Sequence, residues 1–301
     1  LGGNVYINYN TSAHDDYLKS PPFTVLDGLT DGVSFQAFNQ DASYLDTIDV
    51  IVEDLTNGTS TTIESSYTPL TSDGFDSNFY DLSAYENSDV RISFHAISFD
   101  KWRLFLDNFV VGSASSMATG WAGFTSADYS DAQNWYAGAV PTGDVTINHN
   151  SDSAAHSPTI SSAVSASSLT VDTGVSLTVS NTGSVQTTGD FTNDGTVTLN
   201  SVNNQFSSII VGGSSSGSIT YNRYVNVAVD NGTNEWDLIG SPVDALSIST
   251  FVNDNSSDIA TNGSGKSMDW WNNAFDLTQR SITNWVFGVD GASQQTHEIY
   301  R

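Results

Sequence analysis

SLTVDTGVSLTVSNTGSVQTTGDFTNDGTVTL, residues 168–199, repeats one short theme. A triplet with apolar outer positions recurs as Leu169-Thr170-Val171, Leu177-Thr178-Val179, Val185-Gln186-Thr187 and Val197-Thr198-Leu199. It continues in Ile209-Ile210-Val211 and Ile219-Thr220-Tyr221, the triplets starting 8, 8, 12, 12 and 10 residues apart. In an extended chain the outer two residues of a triplet share a face and the middle one points away. Gly174, Gly183, Gly189, Gly195 and Gly213 fall between triplets, where the chain must turn. One short coil cannot bury its apolar face alone, so coils stack, and residues 160–223 read as a parallel β-solenoid. On this reading each triplet is a rung, and successive triplets stack as successive coils of one column. The alternative is a sandwich of regular hairpins, but the glycines recur without the paired Asn-Gly turns that hairpins favour.

Upstream, residues 1–112 carry short alternating runs such as Val33–Phe38, Ile48–Val52, Val90–His95 and Leu104–Val110. Turn residues such as Asn57-Gly58 and Ser72-Asp73-Gly74 separate them. Short, regularly spaced strands of this kind predict a jelly-roll β-sandwich. Ser113–Ser116 is small and polar and reads as a linker. Within residues 113–159, Trp121 and Trp135 read as a cap over the start of a new core. Residues 224–301 lose the repeat but hold Trp236, Trp270, Trp271 and Trp285, which predicts a further Trp-rich β segment. The chain is therefore expected to be all-β. Leu1 is not Met and Tyr300-Arg301 is not a recognisable domain end, so the chain reads as a processed or truncated fragment.

Charge narrows the partners. The chain of 301 residues has 34 Asp+Glu against 8 Lys+Arg, a net charge of -26. Such a field repels phosphate backbones and anionic lipid, which argues against nucleic acid, and leaves cations and neutral ligands such as glycans. The absence of cysteine removes disulfides and thiolate chemistry. No run of 18 apolar residues occurs, so no helix is expected to insert in a membrane.

Several stretches resemble a known family. His14-Asp15-Asp16-Tyr17-Leu18 followed by Ser20-Pro21-Pro22 resembles the "DDWL-x-(S/T)-PP" opening of the choice-of-anchor, cleaved-adhesin type jelly roll. Asp81-Leu82-Ser83-Ala84-Tyr85 is similar to its "DLS-x-Y" step, and Leu106–Val111 to its closing strand. Residues 121–147 resemble the "W-x-G … NW … VP … D-x-V-x-I" lead-in of secreted solenoid proteins of the Bacteroidetes type, and Phe191–Val197 their "F-x-N-x-G-x-(V/L)" coil. The resemblance implies a non-enzymatic adhesin or stalk fragment. It would be exported by the type IX secretion machinery to the outer surface of a Gram-negative cell, there to bind a glycan or protein ligand. Two departures stand out. Tyr17 occupies a position where the family has Trp, and only about fourteen residues precede the "DDWL" position, so the sandwich is expected to lack its first strand.

The resemblance also implies a structural Ca²⁺ in the sandwich, with Asp15, Asp16 and Asp107 as its ligands. Ca²⁺ takes six to eight oxygens, and a carboxylate within the apolar run around Asp107 would need a partner. The five histidines make no HExxH pair. Gly213-Ser214-Ser215-Ser216-Gly217 matches a nucleophile elbow by letters alone, in a Ser/Gly-rich turn, and no catalytic residues are assigned. The live binding candidates are Trp102, Trp270, Trp271 and Trp285, whose indoles could stack on sugar faces. They admit a second reading, a carbohydrate-binding region of a secreted polysaccharide-degrading enzyme, with a β-helical lyase or hydrolase as a distant third.

Overall fold

A computed structural model describes residues 5–7, 12–70, 74–148, 156–202 and 204–224, Asn253, and six later strands. These strands are Trp236–Gly240, Thr261–Asn262, Gly265–Lys266, Met268–Trp270, Asn284–Gly288 and Thr296–Ile299. The chain forms two compact units, residues 1–158 with 166–175, and residues 159–165 with 176–301.

In the first unit the strands are β1 (Val5–Ile7), β2 (His14–Lys19), β3 (Phe23–Thr24), β4 (Gly32–Asn39), β5 (Ile48–Asp54), β6 (Thr59–Tyr67), β7 (Asp76–Asp81), β8 (Asp89–Ser98) and β9 (Leu104–Gly112). They pair antiparallel in two four-stranded sheets, ordered β1-β9-β4-β7 and β2-β8-β5-β6, with β3 added to β8. This is the strand order of a jelly roll. The three residues of β1 pair with β9 through Val5↔Leu106 and Ile7↔Leu104. Alternation drives the architecture, as β5 shows, with Ile48, Val50 and Val52 buried and Asp49, Ile51 and Glu53 less so. The core centres on Phe35, whose ring meets Phe94 edge-on at 4.8 Å and stacks on Tyr80 at 5.9 Å.

Alternation breaks in β9. Leu104 and Leu106 face the core. Asn108 then takes a left-handed φ of 49°, and the pairing with β4 shifts register between Ser34 and Gln36. The extra residue of such a bulge reverses which face the following side chains occupy. Beyond it Val111 packs on the core, while Val110 packs outward against Met117, Ala122 and Tyr136. Asn is one of the few residues that tolerates this backbone, and its Nδ2 donates to Gln36 Oε1 at 2.8 Å. Asn108→Val is expected to lower stability by about 1–3 kcal/mol, read as a shift in the urea midpoint.

The stretch after β9 is folded, not a free linker. Ser113 caps a short helix, α1 (Ala114–Ala118), accepting from the Ser116 N–H. The chain then returns across the outer face of the β1-β9-β4-β7 sheet. Ser34 Oγ donates to Tyr136 O, and Gln36 Nε2 to Gln133 O, which is why these two outward polar residues are buried. The cap has its own aromatic centre. Trp135 meets Trp121 and Tyr129 nearly perpendicular at 5.2 and 4.9 Å. The indole N–H groups donate to backbone oxygens of Tyr129 and His156, as buried tryptophans require. Two further strands of this unit, β10 (Asp144–Ile147) and Ser168–Val171, pair in parallel, with Val145 beside Leu169.

The solenoid expectation holds: the chain forms a parallel β-solenoid of about 3 turns. Its stacking rule differs from the one expected. In order, the strands are β11 (Thr159–Ile160), β12 (Ala163–Ala166), β13 (Ser168–Val171), β14 (Ser176–Val179), β15 (Ser184–Thr187), β16 (Phe191–Asn193), β17 (Thr196–Leu199), β18 (Ser201–Val202), β19 (Gln205–Phe206), β20 (Ser208–Val211), β21 (Ser215–Ser216) and β22 (Ile219–Tyr224). Within the second unit, Leu177 pairs with Val197, which pairs with Ile219. Val185 pairs with Ile209, and Phe191 with Ser215. Adjacent triplets are therefore successive sides of one coil, and the stacked partners lie 20 to 24 residues apart. The reason is geometric: parallel neighbours need a crossover of a dozen or more residues, which an 8-residue step cannot supply.

Asn193, buried inside the coil, has both ends of its amide bonded. Asn193 accepts from the Gly195 N–H at 3.1 Å and donates to Ser218 O. Gly183 lies so close to the Ile160 carbonyl that a Cβ would collide with it. Gly183→Ala should lower the melting temperature of the full chain, equivalent to about 1–3 kcal/mol. The strand Thr296–Ile299 pairs antiparallel with β22. The Trp-rich segment is β as expected, with Trp236–Gly240, Asn284–Gly288 and Met268–Trp270 forming one sheet.

Candidate ligand-binding surface

The cap covers only part of the outer face of its sheet. Beyond it, ring follows ring from strand to strand. Tyr6 lies 5.7 Å from Phe105, Phe105 is 6.3 Å from Phe38, and Phe38 is 5.6 Å from Phe75. These side chains sit outward because their neighbours Leu104, Leu106 and Ala37 fill the core. Phe38, Phe75 and Phe105 are half-buried and Tyr6 is half exposed. The Arg103 guanidinium lies 5.3 Å from the Tyr6 ring centre.

The row leads into one end of the sandwich. There the 40–47 and 99–103 loops are tied together by Trp102 N–H to Tyr44 O at 3.2 Å and Gln40 N–H to Arg103 O at 3.0 Å. Tyr44, Phe99 and Trp102 are exposed on these loops, Trp102 at 40%, and Ile97 is exposed near the end of β8. Isolated exposed apolar residues need no explanation, but a contiguous group marks an interaction site. Of the glycan-stacking candidates, Trp102 is exposed on the loop before β9. Trp270 and Trp285 are directly opposed in the ladder between their strands, and Trp271 lies outside the described residues. The sequence reading missed Tyr6, Phe38, Phe75 and Phe105. The signal was present in Phe105, which stands between two core leucines and so must point the other way.

The carboxylates expected to hold Ca²⁺ do not converge. Asp15 and Asp16 lie on β2 of one sheet and Asp107 on β9 of the other. Asp15 Oδ1 is 2.7 Å from His95 Nε2, and the His95 ring is stacked on Tyr17 at 4.0 Å. Asp16 falls on the opposite pleat from Asp15. Asp107, which stands on the outer face beside the bulge, accepts the Asn108 N–H at 2.8 Å. No group of three or more metal-binding side chains occurs among the described residues, so these residues do not fit one shared Ca²⁺ site.

The displaced titrations among the described residues belong to structure. Bonding to the Ala114 N–H holds the buried Asp31 carboxyl below the usual carboxylate range, against the opposing effect of burial. Glu53 is lowered by the bond to Lys19 at 2.7 Å, helped by Arg91 at 2.6 Å, and Asp54 by bonds from Asn57. Burial raises Tyr67, Tyr80 and Tyr129, and pushes Tyr136 up to about 12. Each of these shifts runs away from neutrality, the reverse of what a general acid or base needs. Asp31 gives a pH test. Its folded pKa is lowered, so its stabilisation is complete above the unfolded value of about 4 and fades as pH falls below it. Asp31→Asn should therefore be destabilising at neutral pH and should flatten the loss of stability between about pH 5 and 3. Equal slopes in mutant and parent would dismiss the assignment.

The Gly213–Gly217 segment is a coil corner. Ser214 N–H donates to Asp190 Oδ1, Ser214 O accepts from Phe191, and Ser215–Ser216 is strand β21.

No family model matches the chain, and no curated protein does. Among solved structures it is similar to the catalytic domain of a GH87 alpha-1,3-glucanase in complex with nigerose, at 12% identity and a TM-score of 0.22, over 66% of this chain and 48% of that one. A variant of such a domain in complex with tetrasaccharides gives 10% identity and a TM-score of 0.22, over 71% and 48%. The chain spans less than half the length of these domains. At these scores the likeness carries no inference about activity.

Proposed function

We propose that this chain is a non-enzymatic attachment fragment of a secreted or cell-surface protein. In this reading the jelly roll presents the ligand surface and the solenoid serves as a rigid spacer. The observation that supports it most is the outward-facing aromatic row of Phe75, Phe38, Phe105 and Tyr6, with Tyr44 and Trp102 exposed on two loops that are tied to each other. It is an open face built on paired strands, suited to holding a partner rather than enclosing a reacting group. The shifted acids support the same reading, since each is committed to a structural bond. Export by the type IX route and display on a Gram-negative surface remain part of the proposal, on the strength of the adhesin-like motifs.

The same aromatic surface favours a second reading, the carbohydrate-binding region of a larger polysaccharide-degrading enzyme. A glycan array with the full chain separates the two: a defined polysaccharide preference supports the second. Attachment is tested by binding of beads coated with the full chain to host or microbial cell surfaces. Tyr6→Ala combined with Trp102→Ala should reduce retention several-fold while the far-ultraviolet spectrum stays unchanged. Retention equal to the parent, or turnover of any polysaccharide by this chain alone, would overturn the proposal.

A further inference from the structure

Four threonines stand in one file across a side of the solenoid, all within the second unit. Strands β11, β14, β17 and β22 lie side by side. Thr159 pairs with Thr178, Thr178 with Thr198, and Thr198 with Thr220. They point outward because their chain neighbours Ile160, Leu177, Val179, Val197 and Leu199 are buried in the coil. Two residues earlier Ser176 pairs with Thr196, which starts a second file on the same face. None of these positions carries a charge, in a chain with 34 acids against 8 Lys+Arg. Among the described residues the four threonine hydroxyls make no hydrogen bond to the protein, so water is left to bond them. Threonine is stiff at χ1 in a strand, so the hydroxyls repeat with the strands that carry them.

We infer that this face binds the surface of ice. Adjacent strands set the hydroxyls about 4.8 Å apart. A water O–H···O bond spans about 2.75 Å, and tetrahedral bonding then places second-neighbour oxygens about 4.5 Å apart. The difference, about 0.3 Å per strand, sums to about 1 Å over the whole file, well short of one hydrogen-bond length. Waters held by the file therefore lie close to the positions of an ice layer. Charge agrees with this partner: ice is neutral, and a carboxylate in the file would impose a hydration shell of its own. A solid glycan is also neutral and periodic, but the file offers no ring on which a pyranose could stack. The inference goes beyond the attachment reading and does not rest on its aromatic surface. It makes the solenoid a binding face as well as a spacer.

The test grows a polycrystalline ice ball slowly in a dilute solution of the full chain and compares protein inside the ice with protein left in the liquid. The chain is expected to be enriched in the ice several-fold over serum albumin, which growing ice excludes. Thr198→Tyr and, separately, Thr178→Tyr place a bulky ring in the file, and each should remove most of that enrichment with the melting temperature unchanged. Gln186→Tyr, at an exposed position on another side of the coil, should be taken up like the parent. The variant combining Tyr6→Ala and Trp102→Ala should be taken up like the parent too, so the attachment reading and this one fail separately. Exclusion of the parent chain from ice overturns the inference, as does equal loss in the Thr198 and Gln186 variants. Retention on crystalline cellulose that Thr198→Tyr abolishes, without uptake into ice, overturns it as well and gives the face to a solid glycan.

Discussion

Asn134→Leu is expected to lower the stability of the first unit by about 3–5 kcal/mol. The side chain is fully buried, and both ends of its amide are in use. Its Oδ1 accepts from the Thr125 N–H, the Ser126 N–H and the Thr125 hydroxyl at 2.8–2.9 Å. Its Nδ2 donates to Ser126 Oγ and Asp128 O at 2.9 and 3.0 Å. Leucine matches the size but leaves two backbone N–H groups without acceptors, each costing about 1–3 kcal/mol when buried. Trp121 and Trp135 lie in the same cap, so urea unfolding followed by tryptophan fluorescence reads the loss where it occurs. A change below about 1 kcal/mol would mean that water enters the loop and replaces the amide.

Leu177→Ala should cost the solenoid about 2–5 kcal/mol, the range for a large buried side chain cut back to alanine. Leu177 is 1% exposed and pairs in the ladder with Val197, also 1% exposed. The cavity would open in the middle of a column. Each coil is stable only against its neighbours, so the void weakens the coils above and below as well. Thermal melts by circular dichroism at the strand band should show the solenoid transition move down. Thr178→Ala, one position along and half-exposed, serves as the control and should shift little. Similar shifts in both variants would refute a continuous inward row.

The strands were largely legible because burial enforces period two. Ile48, Val50 and Val52 alternate in sequence and face one way in space. Coil stacking was not, because the triplets repeat with the spacing of sides, and nothing local tells a side from a coil. Only the 20-residue offset between Leu177 and Val197 does so. The bulge at Asn108 was hidden for a similar reason: one left-handed residue in an apolar run reverses the faces without altering composition. The cap was half legible. Trp121 and Trp135 announced a core, but Ser113–Ser116 looked like a tether because serine favours both helix caps and loops. At the candidate site Trp102 was visible as an isolated ring. Its companions were not, since Tyr6, Phe38 and Phe105 come from three strands that only the jelly-roll pairing brings together.

The three-sided coil has a mechanical consequence. Each lap uses 20 to 24 residues and climbs by one strand spacing, about 4.8 Å. The same residues drawn out straight would extend roughly 70 Å. Three laps lift whatever they carry by only about 15 Å, less than the length of a six-residue strand. Such a column trades away contour length for resistance to bending, and its worth lies in setting an orientation. Greater reach would take many more laps.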